Sequence, residues 1–96
     1  MPVIFHIPGP LRVYTEGQAR VEIDVFRATL REALQALWSR YPGLRDRIAT
    51  EQGDVREHIN IFLGNENVRF LDGLATHVPD GAEITIVPAI SGGMRL

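Results

Sequence analysis

The chain of 96 residues is 45% hydrophobic, carries a formal net charge of −2 and has no cysteine. That length fits one domain around a single small core, and the charge argues against a general nucleic-acid binder, which would show a basic face. The missing cysteine excludes disulfides, thiolate metal sites and cysteine nucleophiles together.

The first element is "PVIFHIP", rich in β-branched and aromatic residues and bounded by Pro2 and Pro8, which predicts a strand. Gly9, Pro10 and Gly17 mark a turn region. "ARVEIDVF" alternates, with Val21, Ile23 and Val25 on one side and Arg20, Glu22 and Asp24 on the other. It reads as a half-buried strand forming a hairpin with the first.

Thr29 opens the clearest helix, because "TLRE" has the spacing of a capping box between Thr29 and Glu32. Leu30, Ala33, Leu34, Leu37 and Tyr41 form its apolar stripe, Trp38 lies at the edge, and Pro42-Gly43 ends it. "LRDRIA" predicts one more helical turn, and the polar, aperiodic "TEQGDVREH" predicts a surface loop. "INIFLGNENVRF" reads as two strands around a Gly-Asn turn, with Ile59, Ile61 and Leu63 on one face. "LDGLATHVPDG" reads as a connector carrying the turn signal "PDG". The last strand is "EITIVPAI", where Ile84 and Ile86 alternate with Glu83 and Thr85. The order β-β-α-β-β-β predicts an α+β domain: a mixed sheet of four to five strands covered on one face by one main helix.

Little of this points to catalysis or metal binding. His6, His58 and His77 are scattered, without the spacing of a metal site; no metal is expected. Asp72, Asp80 and Glu83 fall in turns or on an outward strand face. "GNEN" and "DGLATHVPDG" are turn chemistry and precede no helix that would cradle a phosphate. All ten basic residues are arginine, so no side-chain amine is available for a Schiff base or an isopeptide bond. No apolar run approaches the ~20 residues of a membrane span. The start, "MPVIFHIPGP", lacks the basic and long apolar regions of a signal peptide, and a cytoplasmic location is expected.

The stretch "NIFLGNENVRFLDGLATHVPDGAEITIVPAISGG", Asn60 to Gly93, resembles the MoaD/ThiS family of ubiquitin-like sulfur carriers. The features that carry the likeness are the strand-turn-strand, the Asp80-Gly81 turn, the apolar last strand and the Gly-Gly that follows it. The resemblance implies a β-grasp fold over residues 1–90, with 91–96 a flexible C-terminal tail. It is strongest to carriers that deliver sulfur for cysteine or methionine synthesis.

In that family the carboxylate of the last glycine is the reactive group, and the protein is a carrier rather than an enzyme. The resemblance implies that Gly93 is adenylated by an E1-like activating enzyme, which uses ATP, and is then converted to a thiocarboxylate. The carrier itself would bind no cofactor. Gly92, Ser91 and Ile90 would thread into partner active sites, where glycine lets partner backbone approach closely. Here Gly93 is followed by Met94, Arg95 and Leu96, so its carboxyl lies in a peptide bond. That departure implies a precursor cut between Gly93 and Met94 by a JAMM-type zinc metalloprotease, before a sulfur-accepting synthase takes the thiocarboxylate.

Phe62 and Val87 fall on the sheet face opposite the helix and are candidates for docking an activating enzyme. Three alternatives stay open: the small subunit of molybdopterin synthase, a ubiquitin-like protein modifier, and an interaction module with an inert tail. A monomer is expected, with no nucleic-acid or membrane partner.

Overall fold

The computed structural model describes residues 1–88. Strand β1 (Val3–His6) buries Val3 and Phe5 and pairs antiparallel with β2 (Arg20–Ile23), in a register running from Val3↔Ile23 to His6↔Arg20. This is the hairpin expected from the alternation. The link between the two strands is more ordered than a turn: Gly9–Thr15 winds into a 3-10 helix that buries Leu11 and Thr15. The Thr15 hydroxyl donates to the Gln18 carbonyl at 2.8 Å, which gives the buried oxygen a partner.

Strand β2 stops at Ile23, earlier than its alternating pattern predicts. Phe26 is exposed and Arg27 adopts φ 54°, which redirects the chain into β3 (Ala28–Thr29). Helix α1 (Leu30–Arg40) follows, and both arms of its capping box form: Thr29 Oγ1 accepts from the Glu32 amide at 3.2 Å, and Glu32 Oε1 accepts from the Thr29 amide at 2.9 Å. Replacing a cap of this kind by alanine costs about 1 kcal/mol. Thr29→Ala should therefore lower the unfolding free energy by that amount, seen as a lower urea midpoint with an unchanged slope. After Tyr41 the chain turns through Pro42–Leu44 into the one-turn helix α2 (Arg45–Ile48), as "LRDRIA" suggests.

Strand β4 (Ile59–Leu63) begins the second half and turns into the two-residue β5 (Glu66–Asn67). The expected strand through "VRF" does not form. Asn67 Oδ1 accepts from the Arg69 amide at 2.9 Å and starts a 3-10 turn over Val68–Phe70, which tucks Val68 into the core. The connector is also structured. It holds a 3-10 turn at Gly73–Ala75 and a short strand β6 (His77–Val78), which pairs antiparallel with β3 as a second, two-stranded sheet.

The last described strand, β7 (Glu83–Pro88), lies at the centre of the main sheet, whose order is β2-β1-β7-β4-β5. It runs parallel to β1 and antiparallel to β4. A parallel β1–β7 pair needs a crossover, and the segment containing α1 supplies it. The inward side chains Val3, Phe5, Val21, Ile23, Ile59, Ile61, Ile84 and Ile86 meet Leu30, Ala33, Leu34 and Leu37 of α1 in one core cluster. Leu63, the third residue of its expected stripe, is only half-buried at the end of β4.

Candidate functional site

Ile90, Ser91, Gly92, Gly93 and Met94, which carry the tail chemistry expected from the sequence, lie outside the described residues. What the structure defines is the platform from which that segment departs. β7 is hydrogen-bonded on both sides, by β1 and β4, and its last residue, Pro88, is paired with Ile59. β1 pairs with Glu83–Thr85 and β4 with Ile84–Pro88, so the pairing fixes the position of Pro88, the last described residue, within the sheet.

The face of the sheet away from α1 carries the residues whose alternation points outward. Ile4 and His6 come from β1, Glu83, Thr85 and Val87 from β7, and Asn60 and Phe62 from β4. Registers His6↔Thr85 and Phe62↔Thr85 place these three in one row across the sheet, with Val87 opposite Asn60 on the next row. Val87 is 39% exposed and Phe62 is half-buried. Both therefore lie on the open face, as the alternation implies, and Phe62 offers less of its ring than an isolated surface aromatic would.

Next to Val87 is a shallow recess of about 300 Å³, lined by His6, Pro8, Arg12, Thr85, Val87 and Pro88 among others. Arg12 Nε donates to the Ile7 carbonyl at 2.9 Å, which holds the guanidinium at the rim. His6 Nε2 lies 2.7 Å from Glu83 Oε1. Sequence reasoning missed Arg12 and His6 as neighbours of Val87. The alternation of β1 could have placed His6 on this face, but the pairing that sets the 3-10 helix after β1, with Arg12, beside the end of β7 has no local signal.

The chemistry this face offers is recognition. His58 and His77 are exposed. Among the described residues no three His, Asp or Glu side chains gather as a metal site, and no helix is long and apolar enough to cross a membrane. An apolar strip flanked by Arg12, His6 and Glu83 suits a protein surface, with the end of β7 beside it.

The model of the ThiS family matches this chain over residues 5–93, from Phe5 in β1 through Gly93. The chain belongs to the ThiS family. Among relatives of this ThiS-family chain, the sulfur carrier protein CysO of Mycobacterium tuberculosis is 37% identical over 95 residues, covering 97% of this chain and 100% of the relative. Small archaeal modifier protein 3 of Haloferax volcanii is 36% identical over 74 residues, covering 77% and 76% of the two chains. Among solved structures, a chain in the crystal structure of the Amycolatopsis orientalis BexX/CysO complex superposes with a TM-score of 0.85 at 36% identity, over 92% of this chain and 96% of that one. The five-stranded mixed sheet with α1 packed across it is thus the β-grasp fold of ubiquitin-like sulfur carriers.

Proposed function

We propose that this ThiS-family protein is a sulfur carrier made as a precursor, and that Gly93 bears the sulfur. The observation that carries this reading is the extent of the family match. It runs past the last strand to Gly93 and stops there, leaving Met94–Leu96 outside it. Likeness to the mycobacterial sulfur carrier over nearly the whole chain supports the same role.

The steps follow from the chemistry of a carboxyl group. Hydrolysis of the Gly93–Met94 bond, by a zinc metalloprotease of the JAMM type, frees the Gly93 carboxylate. That carboxylate attacks the α-phosphorus of ATP on an E1-like activating enzyme, and pyrophosphate leaves. A sulfur nucleophile then displaces AMP to give the thiocarboxylate, which a synthase consumes in making cysteine, methionine or a related sulfur metabolite. The protein supplies binding surface and reach, and its partners supply catalysis. Solved structures include a relative in a complex with BexX, which supports the view that such carriers work while docked on other proteins.

The test of the reading is to incubate the chain ending at Gly93 with the activating enzyme of its own host, ATP and a sulfur donor. A mass shift of one oxygen replaced by one sulfur is expected. Failure to form either the adenylate or the thiocarboxylate would count against the reading.

Docking is assigned to the open face beside Val87 and Phe62. Val87→Asp puts a charge on the apolar strip next to the departing chain without touching the core. It should slow loading about tenfold or more while leaving the unfolding free energy within about 0.5 kcal/mol of wild type, as for ordinary surface changes. Unchanged loading would move the docking site elsewhere.

A second reading has one observation in its favour, the likeness to small archaeal modifier protein 3. If the activated Gly93 is transferred to amines of other proteins, adducts resistant to thiols will appear on a denaturing gel. A thiocarboxylate carrier alone gives none.

A further inference from the structure

The most exposed aromatic side chain among the described residues is Phe70, at 85%, and its neighbour Leu71 is 39% exposed. They close the 3-10 turn over Val68–Phe70, at the β5 border of the main sheet. The backbone that carries them is held at several points. Val68 is buried in the core, and the Leu71 amide donates to the Val68 carbonyl at 3.0 Å. Asn67 Oδ1 accepts from the Arg69 amide, and Asn67 Nδ2 donates to Asn60 Oδ1 at 3.1 Å. The Arg69 guanidinium reaches back to the chain entering β4, where Nη2 donates to the Glu57 and Ile59 carbonyls at 2.8 and 3.1 Å. An exposed aromatic on an ordered backbone has already lost much of the freedom that binding would take, which is the character of an interface anchor.

We propose that Phe70, with Leu71 beside it, is an anchor that inserts into an apolar pocket of the activating enzyme, extending the docking surface of Val87 and Phe62 across the β5 border. The choice of enzyme rests on the carrier reading; the place of contact follows from where the turn is pinned. Ile59, whose carbonyl takes one Arg69 bond, is the partner of Pro88 in the β4–β7 register. Asn60, whose side chain takes the Asn67 bond, is the partner of Val87. The turn is therefore tied to the two residues of β4 that pair with the end of β7. Gly93 is five residues beyond Pro88, a span of at most about 18 Å for extended chain. An enzyme that acts on the Gly93 carboxyl has to come within that reach of Pro88, and so meets the surface around it. Phe26, the other strongly exposed aromatic, lies elsewhere. It lines a recess with Met1 and Asp80, beside the start of β7, and the Arg27 guanidinium sits over its ring at 5.2 Å. Exposure alone does not set Phe70 apart; its tie to the end of β7 does.

The test is equilibrium binding of the chain ending at Gly93 to the activating enzyme of its own host, without ATP, by titration calorimetry. Phe70→Ala should raise Kd about tenfold or more, while Phe26→Ala leaves it within about twofold of wild type. Both variants should keep the wild-type urea midpoint, since each removes an exposed side chain. A Kd for Phe70→Ala within about twofold of wild type would overturn the anchor. Equal weakening by Phe26→Ala would overturn it too, as the mark of general apolar adhesion. So would a self-associating wild type that Phe70→Ala makes monomeric with Kd unchanged, which would give the turn to a second copy. A weakened Kd without any thiocarboxylate forming on the wild-type chain would leave the docking standing and remove the carrier reading. Thiocarboxylate formation with Kd unchanged would do the reverse.

Discussion

On the precursor reading, deleting the proposed zinc metalloprotease from the host should leave the encoded chain unloaded, while a chain whose coding sequence stops after Gly93 should load as it does in the intact host. The difference should be all or none, because Gly93 in a peptide bond has no carboxylate, and an acyl adenylate cannot form there without breaking the bond to Met94. While Met94 is attached, no amount of activating enzyme can compensate, and loss of thiocarboxylate to below detection is the expected readout. The fold should not differ between the two forms, since the described core ends with β7 at Pro88 and the three removed residues lie beyond it. Loading of the untrimmed chain in that host would mean that another protease acts, or that sulfur is not carried at Gly93.

Leu34→Ala is the substitution expected to hurt stability most. Leu34 is fully buried on α1, in the cluster that includes Phe5, Ile61, Ile84 and Ile86. Truncating a leucine in such a site costs about 2–5 kcal/mol, because lost transfer free energy is compounded by the cavity left behind. A domain of this size has a total stability on the order of 5–15 kcal/mol, so the variant should lose a large part of it. Chemical denaturation would show a midpoint shifted far to lower urea with little change in slope. A shift below about 1 kcal/mol would mean that the helix packs on the sheet less tightly than the buried surfaces indicate. Because Leu34 is remote from the open face, trimmed Leu34→Ala protein that remains folded should still load sulfur.

The parts of the fold legible in the sequence are those where one local rule decides the structure. The capping box named Thr29 and Glu32 as the start of α1, and both bonds form. Alternation in "ARVEIDVF" and "EITIV" put Val21, Ile23, Ile84 and Ile86 on one side of their strands, and all four lie in the core. Strands β3 and β6 were not legible, because each is two residues long and exists through pairing with the other across some fifty positions. The turn at Val68–Phe70 was misread as strand for a related reason. "VRF" has strong strand propensity, but an Asn67 side chain bonding the Arg69 amide competes with the ladder. The end of β2 depended on Arg27 taking a positive φ, which nothing in "DVFRAT" announces.

At the site, the open-face positions of Phe62 and Val87 followed from period-two alternation alone. The neighbours that give the face its polarity did not. His6 meets Glu83, and Arg12 comes beside Val87, only through the parallel β1–β7 pairing, a long-range contact with no local signature. The reactive tail rested on likeness to a family rather than on spacing. A Gly-Gly pair says only that backbone can approach closely there, and the chemistry comes from the partners it meets.

Whether Gly93 carries sulfur is read most directly from the intact mass of the protein recovered from its own host under sulfur limitation. A mass lacking Met-Arg-Leu, with one oxygen replaced by sulfur, is the expected result. Only the encoded full-length mass, in cells where the protease and the activating enzyme are both present, would contradict it.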